Sequence, residues 1–182
     1  MQKKILLIII ASFIFLNADS QITKGNWMVG GSANYSTNNQ YSIKSSNLQL
    51  APKIGYFFWD NFSGGLQLNT ILEKSTLNGS VSKQNSILIG PFMRYYFLNA
   101  EKSINFFVEA TYSYGINRTT NNSSSNNTKL DSYSFLAGPV FYFNSSVGLE
   151  FTISYYGNRD IDAQTVNNGI QVGIGLQVHL EK

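Results

Sequence analysis

Arg94 and Glu109 are the pair best placed to do chemistry. If the chain folds back about residues 99–103, they come opposite each other on neighbouring strands. A guanidinium and a carboxylate held that way make either a satisfied ion pair or a charged gate. Lys53 and Glu150 could join them, giving an interior polar network of Arg94, Glu109, Lys53 and Glu150 whose expected role is structural. His179 is the single histidine and there is no cysteine. A hydrolytic triad needs a nucleophile held by a base and a carboxylate to orient that base. Around His179 the same-face neighbours are Gln177 and Gly175, so no catalytic site is expected. One histidine without cysteine gives no transition-metal set, and Asp160 with Asp162 is too sparse for calcium. Gly30-Gly31, Gly64-Gly65 and Gly173-Ile174-Gly175 lie inside strand patterns with no following helix, which excludes a nucleotide loop. No metal or cofactor is expected.

The elements that would position these residues follow a period of two. From Ile104 to Asn117 one face reads Ile104, Phe106, Val108, Ala110, Tyr112, Tyr114, Ile116, and the other is polar except for Phe107. Extending this rule predicts strands at 26–37, 47–59, 62–74, 85–98, 104–117, 132–143, 146–156 and 167–180. The even count puts both ends of the barrel domain on one side. Asp60-Asn61, Asn99 to Ser103 and Asn144-Ser145 read as tight turns, and the other four connections as long polar loops. The longest, Arg118 to Asp131, contains an Asn/Ser run that buries nothing and is expected to be a mobile loop. Pro91 and Pro139 each follow a glycine inside a strand and are expected at bulges or bends.

Lys3 and Lys4 precede an apolar run from Ile5 to Leu16 and the small-residue stretch Ala18-Asp19-Ser20. This pattern predicts an export signal at 1–20 and a barrel domain at 21–182. The apolar run is shorter than the roughly 20 residues of a membrane-spanning helix. Charged residues are 13% of the chain, against about 25% in soluble domains. A net charge of +3 gives no reason to expect nucleic acid as a partner.

Alternation alone fits a soluble carrier barrel or a membrane barrel. The inward set separates them, because Gln49, Lys53, Gln67, Glu73, Arg94, Glu109, Glu150 and Gln177 are polar, whereas a carrier would line its interior with apolar groups. Aromatic residues also cluster at both strand ends: Trp27, Phe58, Trp59, Phe62, Tyr95, Phe97, Phe106, Phe141 and Phe143 near the tight turns, and Tyr35, Tyr112, Tyr114, Tyr133 and Tyr155 at the other end. Two such girdles suit a bilayer. The expected fold is therefore an all-β, eight-stranded, antiparallel, up-and-down transmembrane barrel.

The stretch Gly90-Pro91-Phe92-Met93-Arg94-Tyr95-Tyr96-Phe97, echoed at Gly138-Pro139-Val140-Phe141-Tyr142-Phe143, resembles a strand of the small outer-membrane β-barrel proteins of the OmpA/OmpW-like and OmpX-like class. One departure is the ending His179-Leu180-Glu181-Lys182, which lacks the terminal aromatic that such barrels often carry. The resemblance implies an outer-membrane location and leaves activity open. Orientation follows from the connections: tight turns and both termini toward the periplasm. Expected partners are outer-membrane lipid and extracellular ligands met by the long loops, the protein being a monomer and not an enzyme. A structural or surface-interaction role with a plugged lumen leads. A narrow passive channel for small or apolar solutes, or a soluble lipocalin-like carrier, are the alternatives.

Overall fold

The computed structural model describes residues 22–40, 43–77, 79–121, 124–144 and 146–181. The expected signal segment lies outside them. Eight strands follow in order: β1 Trp27–Gln40, β2 Ile43–Trp59, β3 Phe62–Leu77, β4 Ser80–Tyr96, β5 Ile104–Asn121, β6 Ser124–Tyr142, β7 Val147–Asp160 and β8 Thr165–Leu180. Each pairs antiparallel with the next, and β8 returns to β1 to close the barrel. Closure leaves the strands no free edge over the length they pair.

Two of the turns between strands use residues that tolerate left-handed backbone. Asn61 has φ 63° in the two-residue turn Asp60-Asn61, and Gly79 has φ 84° at the β3–β4 turn. Next to the first of these, the β2–β3 register shifts between Phe57 and Trp59, a bulge beside the turn.

Two expectations are corrected. The predicted long loops are mostly strand. β5 and β6 remain paired as far as Asn121↔Ser124, and β3 and β4 as far as Leu77↔Ser80. Polarity there marks the end of the apolar band, while the sheet continues beyond it. Extending a hairpin satisfies backbone N–H and C=O groups without burying anything, and Ser and Thr pair readily. Arg118 Nε donates to Ser125 Oγ at 3.0 Å across this extension.

The prolines also differ from expectation. The ladder skips Gly90-Pro91 on the β5 side and Gly138-Pro139 on the β7 side, yet the register is the same before and after each gap. Each proline keeps its place on the opposite neighbour, Pro91↔Leu66 and Pro139↔Phe106. A missing N–H thus costs one rung and inserts no residue. Where the rung is lost, the facing carbonyl closes over the glycine: a Cβ on Gly90 would lie 1.9 Å from Tyr112 O, and one on Gly138 would lie 1.8 Å from Phe151 O. Only glycine fits there.

Two features had no sequence signal. Residues 22–26 tuck under the rim that carries the termini: Gly25 N donates to Phe57 O at 3.0 Å, Asn61 N to Ile22 O at 2.9 Å, and Lys24 N to Asp60 Oδ1 at 2.8 Å. Ile22 then packs into a buried cluster with Met28, Phe57, Phe92, Tyr96, Phe107 and Val140. The seam between β1 and β8 is paired only from Trp27↔Leu180 to Ala33↔Ile174. Beyond Ala33 the two strands part.

Candidate functional site

Alternation sends one side chain of every pair inward, and an eight-stranded barrel is just wide enough to be filled by them. The register places Arg94 of β4 opposite Glu109 of β5. Arg94 Nε donates to Glu109 Oε2 at 2.7 Å, and Lys53 Nζ from β2 donates to Glu109 Oε1 at 2.5 Å. From the far wall, Glu150 of β7 accepts from Arg94 Nη1 and, at 3.2 Å, from Nη2. The structure brings all four candidate residues together. Arg94 is 1% exposed and Glu109 3%. Two cations against two carboxylates keep the layer neutral, as so dry a site requires.

The network is wider than its charges. Arg94 Nη1 also donates to Gln177 Oε1 at 2.9 Å and Tyr96 Oη at 3.1 Å; Tyr96 Oη donates to Gln177 Oε1 at 2.6 Å; and Gln177 Nε2 donates to Tyr142 Oη at 3.0 Å. The guanidinium lies 4.0 Å from the Phe107 ring centroid, and Lys53 Nζ lies 5.3 Å from that of Phe92. Tyr96 and Tyr142 were missed as site residues. Their signal was the same alternation that placed Arg94 and Gln177 inward, with the tyrosines counted as aromatic and their hydroxyl groups overlooked.

His179 is buried edge-on among Phe57, Tyr96 and Tyr142, with centroids 5.4, 6.2 and 5.7 Å away. Its ring is packed in the plug beneath the charges. Asp160 is tied into its own turn, accepting from the backbone N–H of Asp162 at 3.0 Å and Ala163 at 2.9 Å. These backbone bonds hold its carboxyl below its ordinary range. Among the described residues no group of three or more His, Cys, Asp or Glu could hold a metal.

Above the plug the barrel is hollow. A cavity of about 750 Å³ opens toward the rim remote from the termini, floored by Lys53 and Gln67 and lined by polar groups such as Asn34, Gln49, Asn69 and Ser86, with the carboxylates of Glu73 and Asp160. These bond to one another along the wall: Gln49 Nε2 to Asn69 Oδ1 at 3.2 Å, Gln171 Nε2 to Gln49 Oε1 at 3.2 Å, and Ser86 Oγ to Asn117 Oδ1 at 3.0 Å. Tyr35, Ile170 and Val172, which belong to the outer face, line it as well, because it reaches the open part of the β1–β8 seam.

The outer wall is apolar between two aromatic girdles. Ile54, Leu66, Ile89, Val108, Ile153 and Leu176 are exposed between Trp27, Trp59, Phe97 and Phe143 on one rim and Tyr35, Tyr112, Tyr114 and Tyr155 toward the other. A shallow apolar groove forms in it where Ala110 and Ala137 stand between Met93, Phe135 and Tyr155.

A closed eight-stranded antiparallel barrel with an apolar belt and a polar interior defines the class of small outer-membrane-type barrels. Solved structures agree at the level of fold. The chain is similar to the N-terminal β-barrel domain of Pseudomonas aeruginosa OprF at 13% identity, covering 86% of this chain and 98% of that one with a TM-score of 0.51. It is similar to Neisserial surface protein A at 16% identity, covering 85% and 97%, TM-score 0.57. It is similar to the Pseudomonas aeruginosa outer membrane protein OprG at 12% identity, covering 88% and 98%, TM-score 0.52. No protein-family model and no curated protein matches the sequence.

Proposed function

We propose that the chain is a monomeric, non-enzymatic outer-membrane barrel with a structural or surface-interaction role, its apolar belt in lipid, its termini in the periplasm and its polar cavity open to the exterior. One observation carries the non-conducting part: the ring of Lys53, Arg94, Glu109, Glu150 and Gln177, all buried, spans the lumen from β2 to β8. A channel for solutes would have to break a neutral, hydrogen-bonded layer and displace the apolar cluster beneath it. The cavity above it suits a small polar ligand, since amide and hydroxyl groups line it beside Lys53, Glu73 and Asp160.

Cell fractionation and planar-bilayer recording test this. The protein is expected in the outer-membrane fraction, migrating differently on a gel before and after heating, with no steady conductance. Stable single-channel steps from the wild-type protein would overturn the closed lumen, and a purely soluble, heat-unmodified protein the membrane reading. Cleavage of a tag placed between Asn121 and Ser124 by protease added to whole cells tests orientation.

A further inference from the structure

Charge on the outer wall is distributed very unevenly. Between the girdles the exposed outward side chains are apolar, but the hairpin extensions beyond the tyrosine girdle carry Lys44, Lys74, Lys83 and Arg118, all exposed. By alternation each shares the lipid-side face of its strand: Lys74 follows Leu72, and Arg118 follows Ile116. The register gathers them over β2 to β5. Lys74 is the direct partner of Lys83; Lys44 lies beside Lys74 through the pair Ser46↔Lys74; and Arg118 lies beside Lys83 through Asn85↔Arg118. Among the described residues no carboxylate forms a salt bridge with any of the four. Glu73, adjacent in sequence, points the other way into the cavity. The opposite rim mixes Lys24 and Lys102 with Asp60, Glu101 and Glu181.

Like charges directly opposite on a sheet repel, so Lys74↔Lys83 weakens its own hairpin unless an anion lies between them. Lys74 and Arg118 stand one outward position above the last apolar side chains, and Lys44 and Lys83 two, above Leu48 and Ile87; this is the headgroup level, where the hydrocarbon edge meets polar groups. We propose that Lys44, Lys74, Lys83 and Arg118 bind the phosphate groups of a phosphorylated glycolipid in the leaflet remote from the termini. Charge complementarity selects this occupant: the cations are spaced along the wall at one height, as a row of headgroup phosphates is, and they face lipid rather than the cavity. The proposal rests on the outer-membrane reading.

The test titrates the detergent-folded full chain with purified lipid A and with chemically dephosphorylated lipid A, reading bound adducts by native mass spectrometry. Lipid A is expected to bind more tightly, and added salt to weaken it. Lys74→Gln, Lys83→Gln and Arg118→Gln together should weaken it about a hundredfold, roughly fivefold for each cation near a lipid surface. Lys24→Gln with Lys102→Gln should leave it unchanged. Lys83→Glu is a second probe: it should make the hairpin harder to unfold in zwitterionic micelles while reducing lipid A binding. Inorganic phosphate at matched ionic strength should compete no better than chloride, and stronger competition would overturn the lipid assignment. Equal binding of the two lipids, or wild-type affinity in the triple variant, would overturn the proposal while a folded, heat-modifiable barrel keeps the membrane reading. A chain that never folds in micelles and stays soluble in cells would overturn both.

Discussion

Arg94 Nε and Glu109 Oε2 meet at 2.7 Å across the β4–β5 register, and the same guanidinium reaches Glu150 on the far wall. One side chain thereby ties opposite sides of the barrel together. Arg94→Ala strips two buried carboxylates of their main partner and leaves them with Lys53. Breaking a buried pair on one side costs about 3–5 kcal/mol. Urea titration of the heat-dependent gel shift in vesicles should show that loss. A change under about 1 kcal/mol would mean that water enters and screens the site.

The carbonyls over Gly90 and Gly138 leave no room for a methyl group. Gly90→Ala should destabilise by about 1–3 kcal/mol or lower the folded fraction, because backbone must move. Gly64→Ala is the milder comparison: its Cβ would meet the Phe58 ring at 3.2 Å and the Phe92 carbonyl at 3.3 Å, contacts that a shift of a few tenths of an ångström relieves. Refolding yields of the two variants check this.

Ile153 stands outward in the middle of the apolar belt. Ile153→Arg should cost about 2–4 kcal/mol in a bilayer. Thr165→Arg, exposed on the extension beyond the belt and paired with Asp160, should cost almost nothing. Equal effects in vesicle refolding would contradict burial of the belt in hydrocarbon.

Where β1 and β8 part, some backbone amides lose their partner strand. In hydrogen exchange on the micelle-folded protein, β8 amides directed at β1 should be protected from Ile174 to Leu180 and exchange faster from Thr165 to Gly173. Uniform protection along β8 would show the seam zipped to the far rim.

What could be read from the sequence was local. Period-two alternation set which residues of each strand face in or out, so the apolar belt, both girdles and the inward direction of Arg94, Glu109, Lys53 and Glu150 were legible. The Arg94–Glu109 pairing was legible too, since a short turn fixes the register of its own hairpin. Tertiary structure decided the rest. Glu150 reaches Arg94 only because closure brings β7 across the lumen from β4, a contact between residues remote in the chain that no local pattern encodes. The polar stretches joined the sheet because neighbouring strands were already there to pair with them. Ile22 became a plug residue only once a rim existed for residues 22–26 to tuck beneath, and the cations of β2 to β5 became one cluster only through the register that sets Lys74 against Lys83.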